Sequence, residues 1–442
     1  MILIDSCERV ALMDDAGTEL SNASILIDHG AIAWVGTGAP PIEGSCERIN
    51  GEGLVAIPGL INTHHHLYQV LTRARAQEQG LFNWLKELYP VWARLDAAWE
   101  RDAALIGLCE LALSGCTTSV DHHYVFPHGV EGLLEAEIDA AKSIGIRFHP
   151  CRGSMDLGES AGGLPPDSIV QDIDTILSDT EAVIRKHHDP SPGSMLQIAV
   201  GPCSPFSVSD RLMRESVTLA RKHGVRLHTH IAETLDEQVY CREKFGRRPV
   251  QLLDDLGFLG GDVWLAHCVH ADAGDIDLLS KTGTGVAWCP TSNARLGSGI
   301  APARRFLDAG VKVGLSVDGS ASNDGNQMLA EARQGMLVTR AINGPESMTA
   351  REALRIATRG SAACLGRDDI GSLEVGKRAD VALFSVDGPG FVGAESDPIA
   401  ALIFCAPGNV RHLIVEGRQV VADGRLTTLD PSHRKGALRV PA

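Results

Sequence analysis

The sequence lacks several features that would assign it to a membrane or to the secreted proteins. No stretch approaches the unbroken apolar length that a membrane-spanning helix needs, so we expect no membrane partner. The segment Met1–Arg9 contains Asp5 and Glu8 and has no basic n-region, which argues against a signal peptide. The 11 cysteines are odd in number and form no C-x-x-C pair. They are typical of thiols in a reducing cytoplasm and not of a disulfide framework.

Positive charge is also scarce in the chain. It has 40 Lys and Arg against 56 Asp and Glu, which gives a formal net charge of −16. Such a charge disfavours the phosphate backbone of a nucleic acid and an anionic membrane as partners. No basic patch supports a structural role on nucleic acid. The sequence therefore predicts a cytoplasmic protein with neither a nucleic-acid nor a membrane partner.

Strand-like apolar runs alternate with stretches of helical periodicity through the middle of the chain. Eight such alternations predict an α/β fold, a (β/α)8 barrel of the TIM type. A doubly wound open sheet is the competing topology, but it normally carries fewer strands. The predicted barrel strands are Leu54–Ile61, Thr117–Asp121, Arg147–Cys151, Leu196–Gly201, Arg226–His230, Val263–His267, Gly285–Cys289 and Lys312–Asp318.

Both ends of the chain are rich in short apolar runs that glycines separate, such as Ser24–Ile27 and Asp380–Phe384. Two β-rich ends around a βα middle predict one small β-sandwich domain built from both termini. We assign residues 1–57 and 371–442 to this domain and residues 58–370 to the barrel. In such barrels the chemistry lies at the carboxyl ends of the strands.

The segment Pro58–His66 reads P-G-L-I-N-T-H-H-H and follows an apolar run. His64 and His66 stand two residues apart, so on a strand both imidazoles face the same side. Two neutral imidazoles on one face can bind a divalent metal ion. His65 faces the other side, where packing or hydrogen bonding is its expected role. A histidine-rich strand end without metal is the alternative interpretation.

Polar residues stand at three further strand ends. His230 ends the fifth predicted strand, His267 the sixth and Asp318 the eighth. Several imidazoles with one carboxylate suit zinc or another borderline transition metal better than calcium or magnesium. His228 shares a face with His230, and we favour His230 because it lies nearer the strand end. Only one of the two histidines His267 and His270 needs a role in the site, and the other can be an ordinary interior histidine.

Glu233 follows His230 by three residues. It is either a carboxylate that the helix dipole stabilises at a helix start or a proton shuttle that reaches a metal-activated water. Asp318 also has a structural interpretation, because its carboxylate could cap the helix or turn that follows it instead of binding a metal. Another histidine cluster near the second strand is predicted to line the pocket or to support the ligands: His122, His123 and His128.

In this order, the strand-end motifs resemble those of the amidohydrolase superfamily, specifically its aminohydrolases acting on purines, pterins and triazines. The resemblance covers nearly the whole chain. Asn62 departs from the usual aspartate, but that position is not a metal ligand in the family. The motifs are P-G-L-I-N-T-H-H-H at 58–66, H-I-A-E-T at 230–234, A-H-C-V-H at 266–270, C-P-T-S-N at 289–293, S-V-D-G at 316–319 and G-S-L-E-V-G-K-R-A-D-V at 371–381.

The resemblance implies a set of site residues and a cofactor. Glu233 is implied as the proton shuttle and His267 as a partner of the attacking hydroxide or of the tetrahedral centre. No lysine fits the carbamylated bridge of two-metal relatives at the fourth strand end, Val200–Cys203, which favours one divalent ion. Zinc is expected, and iron accepts the same ligand set. The implied metal ligands are His64, His66, His230 and Asp318, the last of which also takes a proton in catalysis.

The loop after the first barrel strand, roughly residues 67–96, holds Gln69 and Trp84. An amide beside aromatic rings suits a flat, hydrogen-bonding heterocycle, although Trp84 can equally pack a helix on the barrel. These two residues resemble guanine deaminases. Cys203, where guanine deaminases commonly place an arginine nearby, looks instead like the bacterial 8-oxoguanine deaminases, which overlap in sequence with hydroxyatrazine ethylaminohydrolases. Cys203 is either an inert buried thiol or a contact to an added ring oxo group.

The resemblance thus implies hydrolytic deamination of 8-oxoguanine to urate and ammonia. Deamination of guanine or isoxanthopterin, and removal of an alkylamine from a hydroxytriazine, are the alternatives within the enzymes. A metal-free barrel scaffold is the alternative outside them, but such proteins lose ligand positions that this chain keeps. Since relatives are often dimers or larger, a homo-oligomer is expected.

Overall fold

The computed structural model describes residues 1–42, 44–405 and 408–428. They form an eight-stranded parallel barrel with surrounding helices and a separate mixed sheet of nine strands. The predicted fold class is confirmed. The last part of the predicted small domain, residues 429–442, lies outside the described residues.

The mixed sheet takes its strands from both ends of the described chain. They are β1 (Ile2–Ala11), β2 (Glu19–Asp28), β3 (Ala31–Gly36), β4 (Glu47–Asn50), β5 (Leu54–Pro58), β14 (Val381–Ser385), β15 (His412–Val415), β16 (Arg418–Ala422) and β17 (Arg425–Leu426). Strand β5 joins the two ends, since it pairs parallel with β1 and antiparallel with β14. This sheet has its own apolar core, which includes Ile25, Ile49 and Val381.

The barrel strands pair in chain order, each parallel to the next. They are β6 (Leu60–Asn62), β7 (Cys116–His123), β8 (Arg147–Ser154), β9 (Ala199–Pro202), β10 (Arg226–Ile231), β11 (Val263–His267), β12 (Gly285–Trp288) and β13 (Val313–Leu315). Thr63 closes the ring, because its backbone N–H and its hydroxyl both donate to the Leu315 carbonyl at 3.0 Å. Asn62 adds a second link, since its side-chain oxygen accepts from the N–H of Val317 at 3.0 Å.

Helices follow most of the barrel strands, as the predicted alternation requires. Their ends carry ordinary caps: Ser209 accepts from the N–H of Leu212 before the fifth helix, and Gly224 adopts a left-handed conformation after it. None of the described helices combines the length and the apolar character needed to cross a bilayer. The helices are α1 (Leu81–Trp92), α2 (Ala97–Leu113), α3 (Leu133–Ile144), α4 (Ile173–His187), α5 (Asp210–His223), α6 (Leu235–Phe245), α7 (Pro249–Asp255), α8 (Ala273–Thr282), α9 (Pro290–Arg295), α10 (Ala303–Asp308), α11 (Met328–Asn343), α12 (Ala350–Arg355), α13 (Ser361–Cys364) and α14 (Pro398–Phe404).

The predicted first barrel strand, Leu54–Ile61, is two strands in the structure. Leu54–Pro58 belongs to the mixed sheet, and only Leu60–Asn62 belongs to the barrel. The change of sheet occurs at Gly59, where a Cβ atom would lie 2.2 Å from the side chain of Thr117. Both halves are fully buried, so one unbroken apolar run covers them and gives no sign of the switch.

Candidate metal and catalytic site

The carboxyl ends of the barrel strands surround a pocket that opens to solvent. This is the location that the barrel rule predicts. The pocket brings together every predicted site residue except His64, which lies directly beneath it against Asp318. The lining residues are His66, Gln69, Leu81, Trp84, Leu85, Tyr89, Tyr124, Cys203, Phe206, His230, Glu233, His267, Leu296, Asp318 and Ser322.

Two of the predicted ligands, His66 and His230, have their ring protons fixed by backbone carbonyls. Nδ1 of His66 lies 2.8 Å from the carbonyl of His122, and Nδ1 of His230 lies 2.8 Å from that of Cys203. A carbonyl only accepts, so Nδ1 carries the proton in both rings and Nε2 carries a lone pair. The two Nε2 atoms nevertheless face each other at 3.1 Å. Two facing lone pairs at that distance need a positive charge between them.

His64 is oriented through a second buried histidine. Nδ1 of His228 donates to the carbonyl of Trp264 at 2.8 Å, which leaves its Nε2 as an acceptor for Nδ1 of His64 at 2.7 Å. Nε2 of His64 is therefore unprotonated and has no hydrogen-bond partner. It lies 3.3 Å from Oδ1 of Asp318. Sequence reasoning placed His228 in competition with His230, whereas the structure places it behind His64.

Asp318 turns one carboxylate oxygen toward these imidazoles. Oδ1 lies 3.4 Å from Nε2 of His66, while Oδ2 accepts from the hydroxyl of Ser292 at 2.6 Å. Both carboxylate oxygens are acceptors, since Oδ1 also accepts from the N–H of Gly319 at 2.7 Å. Asp318 is held in a left-handed backbone conformation at φ 63°.

The four atoms fit the coordination sphere of a divalent ion. Burial lowers the pKa of His66 to about 3 and that of His64 well below its ordinary value, so both rings are neutral. Neighbouring ligands of a tetrahedral ion with bonds of about 2.0 Å lie about 3.3 Å apart. The measured separations of 3.1, 3.3 and 3.4 Å agree with that geometry. Ligand atoms of His64, His66, His122 and His230 lie within 4.8 Å of one another, as do those of His64, His267 and Asp318, so imidazole nitrogens and one carboxylate oxygen form a metal-binding cluster here.

His267 has the opposite arrangement from the three metal-facing imidazoles. The amide nitrogen of Asn293 lies 3.0 Å from Nδ1 of His267 and can only donate. The proton of His267 is therefore on Nε2, which points toward Oε2 of Glu233 at 3.5 Å. Burial lowers the pKa of His267 to about 4, so the ring is a neutral hydrogen-bond donor. His270 does not line the pocket.

Glu233 is held at the pocket wall by its own loop. The carboxylate of Glu237 accepts the N–H groups of Ala232 and Glu233, each at 2.8 Å, and fixes the turn after β10. The hydroxyl of Ser298 donates to Oε1 of Glu233 at 3.4 Å. Burial, followed by the charges of Asp318 and Glu237, raises the pKa of Glu233 well above its ordinary value. A carboxyl group in this setting can both take up and release a proton near neutral pH.

The predicted substrate contacts line the same pocket. Both side-chain polar atoms of Gln69 are buried without a hydrogen-bond partner. Trp84 packs within α1 and also lines the pocket, while its ring N–H donates to the carbonyl of Ala321 at 3.1 Å. Burial raises the pKa of Cys203 to about 12, so it presents a neutral thiol. Gln69 is thus the polar side chain with hydrogen bonds to offer a ligand.

Sequence reasoning did not assign Tyr124, which lines the pocket directly after β7. Its place at a strand end was the available signal. The histidines predicted near it behave differently. His122 stacks on His230 at 4.8 Å between ring centroids, His123 joins a separate buried cluster, and His128 is exposed. None of these three histidines lines the pocket, but His122 contacts the proposed ligands, since its carbonyl accepts from Nδ1 of His66.

Comparisons with known proteins agree with this site. Residues 55–420 match the model of the amidohydrolase family. The chain is 46% identical to an 8-oxoguanine deaminase of Pseudomonas aeruginosa, over 95% of this chain and 94% of the relative. It is 37% identical to a hydroxydechloroatrazine ethylaminohydrolase of Pseudomonas sp. strain ADP, over 94% of this chain and 90% of the relative. An isoxanthopterin deaminase of an unknown prokaryotic organism is 35% identical, over 88% of this chain and 86% of the relative.

Solved structures of related hydrolases superpose closely on this chain. A crystal structure of atrazine chlorohydrolase from Arthrobacter aurescens TC1, complexed with zinc, superposes with a TM-score of 0.95. Its sequence is 37% identical, and the match covers 100% of both chains. The family match spans most of this sequence, and the structural match extends over the barrel and the mixed sheet. The chain therefore belongs to the amidohydrolase family, and it is a hydrolase.

Proposed function

We propose that this protein deaminates 8-oxoguanine hydrolytically, giving urate and ammonia. The observation that carries the proposal is the lining of the pocket, where Gln69, Trp84 and Cys203 join the residues of the metal-binding cluster. An unpartnered amide, an indole ring and a neutral thiol suit a flat, oxygen-rich heterocycle. The similarity to an 8-oxoguanine deaminase supports this choice.

The residues that would hold the cofactor are His64, His66, His230 and Asp318. We propose one ion, and zinc agrees with the zinc-containing relative. When bound, a divalent ion lowers the pKa of a water molecule toward neutral and so supplies hydroxide at physiological pH.

The acid and base groups of the chain would move the protons. Asp318 and Glu233 accept the proton of the attacking water as its oxygen bonds to C2 of the purine, which carries the amino group. Glu233 then delivers that proton to the adjacent ring nitrogen. The second proton comes from the hydroxyl now on C2, and Asp318 and Glu233 pass it to the amino group. The bond from C2 to this nitrogen breaks and ammonia leaves as the C2 oxygen becomes a carbonyl. The Nε2–H of His267 donates to the oxygen that gains negative charge at the tetrahedral centre.

The pocket would orient the ring so that C2 faces the cluster. Gln69 can donate and accept hydrogen bonds at one edge of the base, and Trp84 and Tyr89 offer ring faces. Cys203 leaves room for an oxo group that an arginine side chain would crowd. Guanine and isoxanthopterin share the amino-bearing carbon but lack the same set of oxo groups.

A substrate panel tests the proposed function directly. We expect kcat/KM for 8-oxoguanine to exceed that for guanine, isoxanthopterin and hydroxyatrazine by at least about tenfold each, since one extra pocket interaction contributes about 1–3 kcal/mol. Ammonia release, measured by a coupled assay, gives the values for the three deaminations, and release of the alkylamine, measured by chromatography on the same enzyme preparation, gives the value for hydroxyatrazine. A higher kcat/KM for isoxanthopterin or hydroxyatrazine would assign the enzyme to that substrate instead.

His228 provides a test of the metal-binding cluster. We expect His228→Ala to weaken metal binding about 10- to 100-fold, because Nδ1 of His64 loses the acceptor that orients it. His228→Gln should recover part of the affinity, since an amide oxygen can accept the same hydrogen bond. Competition with a chromogenic chelator measures the affinity of each variant, and equal affinities for the wild type and His228→Ala would refute the role.

We also propose the organisation that the sequence predicts. Residues 1–57 and 371–442 would form the small β domain and residues 58–370 the catalytic barrel. The protein would act as a cytoplasmic homo-oligomer on a small purine-like molecule, without a nucleic-acid partner. The net charge of −16 supports the last point. Light scattering on the purified chain tests the oligomeric state.

A further inference from the structure

A second group of metal-type side chains lies apart from the pocket, between the second barrel strand and two helices. Glu100 from α2, His123 from the end of β7 and Glu137 from α3 each offer one ligand atom, and these atoms lie within 4.8 Å of one another. All three side chains are fully buried. We call this group the α2–α3 cluster. None of its members lines the catalytic pocket.

The carboxylates of the cluster lack the partners that buried acids normally have. Both oxygens of Glu100 and both of Glu137 are buried without a hydrogen bond. Burial, followed by the charge of the equally buried Asp121, raises the pKa of Glu100 and of Glu137 well above the ordinary value, and Asp121 also lies within hydrogen-bond reach of Glu137. Three buried carboxyl groups cannot all remain ionised unless a positive charge joins them. The cluster therefore holds either protons or a cation.

His123 supplies an independent observation that favours the cation. Its Nε2 lies 3.0 Å from the carbonyl of Val125 and donates to it, so Nδ1 carries a lone pair. Nδ1 is buried without a partner and faces Oε2 of Glu100 at 3.5 Å. A proton shared between these atoms would draw them to about 2.8 Å. A separation of 3.5 Å is instead close to that of two neighbouring ligands of one ion.

The dimensions of the cluster agree with a single coordination sphere. The three ligand atoms all lie within 4.8 Å of one another, and the 3.5 Å between Nδ1 of His123 and Oε2 of Glu100 is a separation that neighbouring ligands of one ion can have. Two carboxylates with one imidazole suit manganese, iron or zinc in the divalent state. The same feature, unprotonated nitrogen facing carboxylate oxygen, marks the catalytic cluster at His64 and Asp318.

We propose that Glu100, His123 and Glu137 bind a second divalent transition-metal ion with a structural role. The ion would tie α2, β7 and α3 together behind the catalytic face. It would also neutralise the surroundings of Asp121, whose Oδ1 accepts the N–H of Leu67 at 2.6 Å. Leu67 directly follows the His64–His66 pair. The second ion would therefore fix the backbone from which the catalytic ligands project.

Metal counting on variants tests the proposal. The protein is produced in zinc-supplemented medium, dialysed against metal-free buffer and analysed by inductively coupled plasma mass spectrometry. We expect about two ions per chain in the wild type and about one in the double variant Glu100→Gln/Glu137→Gln. Glu135→Gln is the matched control, since Glu135 lies on α3 at the surface and pairs with Lys186 at 3.0 Å. It should keep about two.

His230→Ala separates the two sites, because it should remove the catalytic ion and keep one. X-ray absorption on that variant should then show an oxygen-rich environment with a single imidazole. One ion in the double variant and one in the wild type would overturn the proposal, because glutamine then merely replaces a protonated glutamate. No ion in His230→Ala would overturn it as well, even if the double variant fails to fold.

Discussion

Replacing Glu233 with glutamine is expected to lower kcat for 8-oxoguanine by about 10²- to 10⁴-fold, the range that general acid–base catalysis contributes. The amide keeps the shape of the side chain but can neither take up the proton of water nor deliver it to the ring and the amino group. None of the four proposed metal ligands changes, so the metal content should equal that of the wild type. Steady-state kinetics with metal analysis of the same sample measures both quantities.

Glu243→Gln is the matched control for this variant. Glu243 is exposed on α6, a few residues beyond Glu233, and the same substitution there should leave kcat unchanged. Near-normal turnover in Glu233→Gln would remove the carboxyl group from the mechanism. A fall in both turnover and metal content would assign Glu233 a structural role at the cluster instead.

Replacing His230 with alanine is expected to remove the catalytic ion and to lower turnover at least about a thousandfold. The ring supplies one of the three imidazole nitrogens of the cluster, and its Nε2 lies 3.1 Å from that of His66. An ion held by fewer ligands binds more weakly, and the loss of an activated water raises the barrier by several kcal/mol. Turnover at saturating substrate and metal content after dialysis are the two measurements.

The control for His230→Ala is His29→Ala, since His29 lies in an exposed turn of the mixed sheet, far from the barrel strand ends. It should keep both metal and turnover. If His230→Ala keeps the wild-type metal content and turnover after dialysis, the ring does not act as a ligand, and the neighbouring His122 becomes the candidate.

The barrel was predictable because its strands alternate with helices at regular spacing, and each strand is a short buried apolar run. The boundary between the two sheets at Gly59 could not be predicted. The residues on both sides of it are apolar and buried, so the change from the mixed sheet to the barrel depends on a close approach of Thr117 that no local pattern records. Long-range pairing, such as that of β5 with β14, is equally invisible in a local pattern.

The strand-end rule found most of the site, since His66, His230 and Asp318 are polar residues where strands stop. It weighed His228 against His230 as the ligand and could not assign His228 its place behind His64, because that role depends on which ring nitrogen bears the proton. The proton position depends on Trp264 of the neighbouring strand, whose carbonyl accepts from Nδ1 of His228. The α2–α3 cluster was not predicted from the sequence, for a related reason. Glu100 and Glu137 lie on helices, where an isolated glutamate is typical of a solvated surface.

The switch at Gly59 means that the catalytic region cannot be excised as a free-standing unit. The chain leaves the mixed sheet at Pro58 and reaches His64 only six residues later. Arg147 in β8 and Asp380 beside β14 form a second, buried link between the two sheets, with Nε and Oδ2 at 2.7 Å. The terminal strands thus fix the position of the segment that carries the catalytic histidines. Fusions and circular permutations should open the chain at exposed loops such as residues 190–193.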